Sequence, residues 1–256
     1  MALSTFDGFI SRVAAGYWAS ESCLSERNPA VSATLFSGQL GTMHLGQNFR
    51  AFPALPPGVT AYIPTRLIAV SSTTDVGLLW ARLINLGELD IGPPTFTDGS
   101  AFPTITEAGV SRSASGPILA EVTTVLNATP GNITVTYVDQ DGNAAEATVS
   151  LALTASALVG TCGFVSLNAG DYAVRDITTA TRTGGTTPTG VIKFWGVRPL
   201  MLASNAGGAS DLVIENLLTS AFCPQRLDAA DAINVITIAS AAIKTEHLEM
   251  FIVGDN

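Results

Sequence analysis

The sequence predicts a mainly β protein whose principal part is an antiparallel β-sandwich or jelly-roll-like domain, preceded by a short N-terminal helix and an extended arm. Short apolar segments recur between residues 118 and 203, with turn residues between them. In one segment Ile133, Val135 and Tyr137 alternate with threonines, as in a strand with one buried face. Several short strands at this spacing are typical of an antiparallel sandwich.

The N-terminal helix is predicted from Ser4 and Asp7, which resemble a capping box, and from an apolar stripe at helical spacing. The stripe consists of Phe6, Phe9, Ile10, Val13 and Tyr17. A helix with such a stripe docks either on its own domain or on a neighbouring subunit, and the sequence leaves both alternatives open.

Residues 23–60 show little periodicity and many prolines and glycines. Long structureless stretches are uncommon in compact domains. This stretch is therefore either an arm extended over a partner or a set of short strands.

From residue 61 the pattern becomes β-type. Residues 76–89 favour a strand over a short helix, and the Pro/Gly/Ser-rich residues 92–117 indicate a loop or a domain joint. The predicted domain division is a helix and arm over 1–60, a β-rich part with a loop joint over 61–117, and a β-sandwich domain over 118–256.

The sandwich domain contains most of the strand candidates. They span residues 118–128, 132–140, 145–154, 162–170, 172–183 and 189–202. The tail, with apolar segments at 213–222, 233–243 and 247–256, is expected to add at least one more strand, with two as the alternative.

Two carboxylates and a glycine, Asp139, Asp141 and Gly142, with Glu146 further on, raise the question of a calcium loop. An EF-hand loop places its glycine at position 6 and its last glutamate at position 12, between helices. Here the glycine and the glutamate come too early, and both flanks alternate like strands. Asp-Gly between alternating segments predicts a β-hairpin instead.

Charged residues make up only 13% of the 256 residues, against about a quarter in ordinary proteins. So few charges predict either a surface made largely of Thr, Ser, Asn, Gly and Ala or, as the favoured alternative, a surface that is hidden against neighbouring molecules. The net charge is −9 and the arginines are scattered, so direct nucleic-acid binding is not expected. Neither a secretory signal nor a membrane-spanning run is recognisable, which predicts a protein made in the cytoplasm without membrane attachment.

No motif in the sequence predicts catalysis, a cofactor or a metal. Cys23, Cys162 and Cys223 are odd in number and widely spaced, so buried thiols are expected. The two histidines, His44 and His247, have no sequence neighbour that suggests a nucleophile or a metal partner. A triad assembled from distant positions stays open as an alternative.

The Gly/Thr-rich residues 184–190 precede a strand instead of a helix, so a hairpin loop is expected there and not a phosphate loop. The candidate interface residues are aromatic: Phe6, Phe9, Tyr17, Trp18 and Trp195. Phe194 and Trp195 are adjacent in a predicted strand, so one ring points away from the sandwich interior and could anchor a contact.

Three segments resemble the virion structural proteins of tailed bacteriophages. They are YVDQDGNAAEATV, LNAGDYAVRDITTATRT and VIKFWGVRPLMLA, in a chain rich in Thr, Ala and Gly and poor in Lys. Capsid decoration, cement, spike and tail proteins of that group carry this succession of DQDG hairpin, L-x-A-G-D turn and RPL strand on β-sandwich domains. The resemblance covers residues 118–203.

The resemblance implies a non-enzymatic virion protein, assembled in the host cytoplasm and bound to the outer shell as a decoration, cement or head-spike protein. It implies as partners further copies of the chain, as a homotrimer, and the major capsid protein or other virion proteins. Two alternatives stay open: a tail tube, adaptor or fibre component of the same kind of virion, and a carbohydrate-binding or enzymatic β-sandwich.

Overall fold

A computed structural model describes residues 11–13, 16–26, 34–39, 42–45, 61–71, 76–107, 110–144, 146–205, 212–216, 233–239 and 245–255. All the regular elements in these ranges are β-strands. In chain order they are β1 (Ser11–Val13), β2 (Gly16–Glu26), β3 (Thr42–Leu45), β4 (Ala61–Ser71), β5 (Val76–Asp90), β6 (Thr95–Asp98), β7 (Thr104–Glu107), β8 (Val110–Ser113), β9 (Ile118–Thr124), β10 (Asn132–Asp139), β11 (Glu146–Ala147), β12 (Leu151–Ala152), β13 (Thr161–Phe164), β14 (Val174–Thr183), β15 (Val191–Asn205), β16 (Leu212–Asn216), β17 (Ile233–Ala239) and β18 (Thr245–Asp255).

The chain forms two compact units. Unit 1 combines Met1–Ala30, Gly46–Arg82 and Pro199–Asn256, and unit 2 combines Val31–Leu45 and Leu83–Arg198. The domain boundaries predicted after residues 60 and 117 stay a prediction.

Unit 2 is a sandwich of two antiparallel sheets. In one sheet β10 lies between β14 on one side and the short strands β11 and β12 on the other. In the other sheet β9 lies between β13 and β15, β13 also pairs with β3, and β5 pairs with β6 and with β15. The predicted antiparallel sandwich is therefore confirmed, while its jelly-roll-like character stays a prediction.

Apolar side chains from both sheets form the core of unit 2. β10 contributes Ile133, Val135 and Tyr137, all fully buried, as their alternation predicted. The opposite sheet contributes residues such as Ile192 and Phe194 to the same cluster. Burial of this two-sided apolar set is the main stabilising contribution to the unit.

Unit 1 contains an antiparallel sheet in the order β1-β2-β18-β4-β16. Its longest pairings join β18 to both β2 and β4, from Thr245↔Glu26 to Val253↔Trp18 on one side and from Glu246↔Ser71 to Asp255↔Ala61 on the other. A further pair joins β17 to the first half of β5. The tail contains three strands, β16, β17 and β18, which confirms the prediction of at least one further strand and exceeds the two given as the alternative.

The predicted N-terminal helix is wrong where the structure describes it, because Val13 lies in β1 and Tyr17 in β2. These two strands form a hairpin in which Val13 pairs with Gly16. The stripe residues Val13 and Tyr17 belong to two different strands, and Tyr17 pairs with Arg12, so their spacing of four positions does not define one face of a single element. Phe6, Phe9 and Ile10 lie outside the described residues.

The other local predictions have mixed outcomes. Residues 76–89 form a strand, β5, as favoured. Residues 92–117 are not only loop, since they contain β6 and the β7–β8 hairpin. The candidate at 145–154 is broken into β11 and β12, with Thr148 turned inward between them so that its Oγ1 accepts from Val135 N at 3.1 Å. Within residues 23–60, which were predicted to be either an extended arm or a set of short strands, the structure describes the end of β2 at Glu26 and the short strand β3 from Thr42 to Leu45.

No helix within the described ranges is long and apolar enough to cross a membrane.

Candidate functional site

The hairpin predicted at the DQDG segment is confirmed, and its aspartate shapes the turn. β10 ends at Asp139 and pairs with β11 antiparallel. The Asp139 Oδ1 accepts from Asp141 N at 2.9 Å and from Asn143 N at 2.8 Å, while Oδ2 accepts from Asn143 Nδ2 at 2.6 Å. Gly142 has a φ of +92°, which glycine adopts at little cost.

These hydrogen bonds determine the ionisation of the Asp139 carboxyl. Burial raises its pKa, but the hydrogen bonds from Asn143 and from the backbone of Asp141 and Gly142 outweigh burial and leave the pKa below its usual value of 3.8. The carboxylate acts as the acceptor that organises the turn, with its lone pairs directed at main-chain and amide donors.

Replacing Asp139 with Asn should therefore destabilise unit 2 at neutral pH, because an amide NH₂ then faces the Asn143 donor. Because the pKa of Asp139 is lower in the folded state than the unfolded value of 3.8, the ionised carboxylate stabilises the folded state above pH 3.8. This stabilising contribution disappears as pH falls through the folded-state pKa. The difference in stability between wild type and Asp139→Asn, measured by urea unfolding, should decrease progressively as pH falls below about 4. A constant difference across this range would contradict the assignment.

A second turn, the LNAGD segment, is joined to this hairpin through a buried tyrosine. The Tyr137 hydroxyl donates to Asp171 Oδ2 at 2.7 Å and accepts from Asn168 N at 3.0 Å. Asn168 Nδ2 in turn donates to Glu146 Oε2 at 3.2 Å. Burial and the Asp171 carboxylate raise the pKa of Tyr137 to about 12, so the phenol stays protonated and donates.

Gln140 and Arg175 complete the connection between the two turns. Arg175 donates from Nε and Nη2 to the Gln140 carbonyl oxygen at 3.0 and 2.8 Å. The Gln140 side chain accepts from Tyr172 N at 3.4 Å. Both turns are thus held as one polar network, which we call the turn network: Tyr137, Asp139, Gln140, Asp141, Asn143, Glu146, Asn168, Asp171, Tyr172 and Arg175.

The turn network fixes the backbone of the DQDG and LNAGD turns, because its polar groups form hydrogen bonds with one another and with that backbone. Within the ranges that the structure describes, no three His, Cys, Asp or Glu side chains come together in a group that could hold a metal ion. Tyr172 is the aromatic side chain of the network that faces solvent, with 74% of it exposed. Chemically, the arrangement can hold two loops in a defined orientation at one end of the sandwich.

The interface candidate Trp195 lies on the face of β15 opposite to the fully buried Phe194. Trp195 is half-buried, and its indole Nε1 donates to Glu121 Oε2 at 2.7 Å. Lys193 Nζ lies 4.3 Å from the centroid of the indole ring, within the range of a cation–π interaction. The Trp195 indole is thus oriented by its own chain, and a contact with another molecule stays a prediction.

Glu121 is the carboxylate of this cluster, and it comes from the neighbouring strand β9, directly opposite Lys193. Burial raises the pKa of Glu121, and the Trp195 hydrogen bond and the Lys193 charge lower it without cancelling that effect. A charged partner and an N–H donor are the usual compensation for a carboxylate that is largely removed from water.

The Gly/Thr-rich residues 184–190 form a loop before β15, as predicted, and side chains of the loop between β9 and β10 hold it in place. Asn127 Nδ2 donates to Thr187 O at 2.9 Å, and Thr129 Oγ1 donates to Thr186 O at 2.8 Å. Thr187 has a φ of +43°, unusual for a residue with a side chain. The loop is tied to its own unit through its carbonyl oxygens.

For the other candidate interface residues, the histidines and the cysteines, the structure mainly gives the strand in which each residue lies. Tyr17 and Trp18 lie in β2, at which only the backbone is described, and Phe6 and Phe9 lie outside the described residues. His44 lies in β3 and His247 in β18. Cys162 is a buried thiol in β13, as expected. Cys23 lies in β2, and Cys223 lies outside the described ranges.

Sequence reasoning missed the roles of Tyr137, Asp171 and Glu121. Tyr137 and Asp171 are 34 residues apart, and Glu121 and Trp195 are 74 apart. One signal was available: Glu121 is the single charge in the apolar segment ILAEVTTV, a pattern that indicates a buried carboxylate with partners.

Neither a protein-family model nor a curated protein matches the chain. Among solved structures the chain is similar to VP2 of infectious bursal disease virus. The VP2 subviral particle matches at 10% identity and a TM-score of 0.19, over 93% of this chain and 79% of that chain. The structure of the Gt strain matches at 10% identity and a TM-score of 0.16, over 99% of this chain and 84% of that chain. TM-scores this low do not establish a common fold.

Proposed function

We propose that the chain is a non-enzymatic structural protein of a virion that works by forming permanent contacts with copies of itself and with a shell protein. In the finer form of the proposal it is a decoration, cement or head-spike protein on the outer shell of a tailed phage.

The observation that carries this proposal is the small number of fully exposed ionic groups in the described part of unit 2. Among the charged side chains whose burial the structure describes, only Glu88, Asp98 and Asp141 are exposed. The rest are at least partly buried, and several are engaged inside the chain, as Arg175 is with Gln140 and Glu121 with Trp195.

A surface of this kind suits a permanent contact. Interface cores are depleted in charged residues, because desolvating an ion costs far more than desolvating a hydroxyl, an amide or a methyl group. An exposed surface of Thr, Ser, Ala and Asn can be buried at low cost against a repeated lattice. A symmetric oligomer, for which we propose a trimer, would then bind several lattice points at once and gain avidity.

The resemblance of residues 118–203 to phage virion proteins gives a second line of support. Its DQDG and LNAGD segments are far apart in the chain, yet Tyr137, Gln140 and Asp171 join them in the turn network. Two stiff loops at one end of a β-sandwich are a suitable base for contacts that must be identical in every copy.

The first test is the oligomeric state of the recombinant full chain. Sedimentation velocity should give a species of three times the 26.4 kDa chain mass that persists on dilution, because large uncharged surfaces dissociate slowly. A monodisperse monomer at micromolar concentration would contradict the self-association.

The second test is the presence and copy number of the chain in purified particles, measured by quantitative mass spectrometry. A copy number comparable with that of the main shell protein supports the decoration protein. A few copies per particle would instead support a tail component. Absence from particles, together with turnover of a substrate by the pure protein, would overturn the proposal.

A further inference from the structure

The chain contains three Asp–Gly pairs: Asp7–Gly8, which lies outside the described residues, Asp98–Gly99 and Asp141–Gly142. In such a pair the main-chain nitrogen of the glycine can attack the carboxyl carbon of the preceding aspartate, since glycine has no side chain to hinder the approach. Whether a pair reacts in a folded protein depends on how that nitrogen and that carboxyl group are held.

At Asp98–Gly99 the two reacting groups are held together. Gly99 N donates to the Oδ1 of its own neighbour Asp98 at 2.9 Å. Both residues are exposed, so water reaches the site. The nitrogen therefore lies against the carboxyl group that it would attack, which is the arrangement that raises intramolecular rates.

At Asp141–Gly142 the corresponding groups are engaged with other partners. Gly142 N donates to Asp139 O at 3.2 Å, and Asp141 Oδ2 accepts from Gln140 Nε2 at 3.3 Å. The turn network thus binds the nitrogen and the carboxyl group to separate partners. The same dipeptide occurs twice in unit 2, once in a reactive arrangement and once in a protected one.

We propose that Asp98–Gly99 is a modification site at which the folded protein spontaneously converts aspartate to isoaspartate through a succinimide. This inference does not depend on the proposed function.

The reaction needs only water. The Gly99 nitrogen loses its proton and bonds to Asp98 Cγ, and the carboxyl hydroxyl leaves as water, closing a five-membered imide. Water then adds to the ring carbonyl that came from the main chain, and the bond from this carbon to the nitrogen breaks. The chain now continues through Cγ, and the former main-chain carbonyl becomes a free carboxylate. One water is released and one is taken up, so the mass is unchanged.

The surroundings of Gly99 give the modification a structural effect. A Cβ at position 99 would lie 2.4 Å from both Asn85 O and Gly87 N, and Ser100 N donates to Asn85 O at 2.7 Å. Asp98 itself pairs with Gly87 in the β5–β6 ladder. An extra methylene in the main chain has no room here, so isomerisation should release β6 from β5.

The test is to incubate the folded full chain at neutral pH in water labelled with heavy oxygen and then to map its peptides by mass spectrometry. Each passage through the imide incorporates one label at the aspartate. The Asp98 peptide should be labelled more than about fivefold faster than the Asp141 peptide, which serves as the internal control. In urea, where both contacts are lost, the two peptides should be labelled at similar rates.

Equal labelling of the two sites in the folded protein, faster labelling at Asp141, or no labelling at Asp98 would each overturn the proposal. The variant Asp98→Glu keeps the charge but needs a less favourable six-membered ring, so its peptide should stay unlabelled while its circular dichroism spectrum is unchanged. Label in this peptide would show that the signal does not come from the imide at residue 98.

The structural effect has its own readout. The isomerised fraction, separated by ion exchange, should show faster amide hydrogen exchange in residues 87–98 than the unmodified protein. Unchanged exchange in these residues would overturn the predicted release of β6.

Discussion

Replacing Phe194 with Ala should destabilise unit 2 by about 3–5 kcal/mol, the largest single effect that we expect in this protein. The Phe194 side chain is fully buried in the sandwich core, with its ring centroid 6.4 Å from that of Phe96 at an interplanar angle of 57°. Truncation removes its buried apolar area and its tilted contact with Phe96. Urea unfolding followed by far-UV circular dichroism measures the loss.

The matched control is Tyr172→Ala, which also truncates an aromatic side chain but at a site that is 74% exposed. Its effect should stay within about 0.5 kcal/mol. The variant Phe194→Leu, which leaves a smaller cavity than Phe194→Ala, should lose less than the alanine variant. A loss below about 1 kcal/mol for Phe194→Ala would contradict the core position of this ring.

Replacing Tyr137 with Phe should have the second largest effect, about 1–3 kcal/mol at neutral pH. The substitution keeps the buried ring but removes the hydroxyl that donates to Asp171 and accepts from Asn168 N. Both groups then lose that partner, and an unsatisfied buried group costs more than an average hydrogen bond contributes. The measurement is the unfolding midpoint in urea, with Tyr172→Phe as the control that removes an exposed phenol.

The same tyrosine predicts an alkaline dependence. Its pKa is raised from 10 in the unfolded chain to about 12 in the folded protein. Below pH 10 both states keep the proton, and the stabilising contribution is complete. Between pH 10 and 12 the unfolded state loses the proton first, so this contribution decreases as pH rises. Tyr137→Phe should lack this component, and a wild type and variant with parallel stabilities from pH 9 to 12 would contradict it.

The amino-acid sequence by itself determined the strand class of the sandwich and the positions of its turns. Alternation in Ile133, Val135 and Tyr137 and the Asp-Gly turn after Asp139 are local properties, since period two and the positive φ of Gly142 involve only neighbouring residues. Local patterns also produced the error at the N-terminus. Val13 and Tyr17 are four residues apart, as on one face of a helix, but they belong to two strands that pair with each other, a long-range outcome that the spacing alone does not reveal.

The tertiary structure alone decided which strands are neighbours and which polar groups meet. The pairing of β9 with β15 brings Glu121 to Trp195 across 74 residues, and the turn network brings Tyr137 to Asp171 across 34. The same holds for Asp98–Gly99 and Asp141–Gly142, which are one dipeptide in the sequence and two different arrangements in the fold. Hydrogen-bond geometry and burial depend on residues that are distant in the chain, and no local period or propensity encodes them.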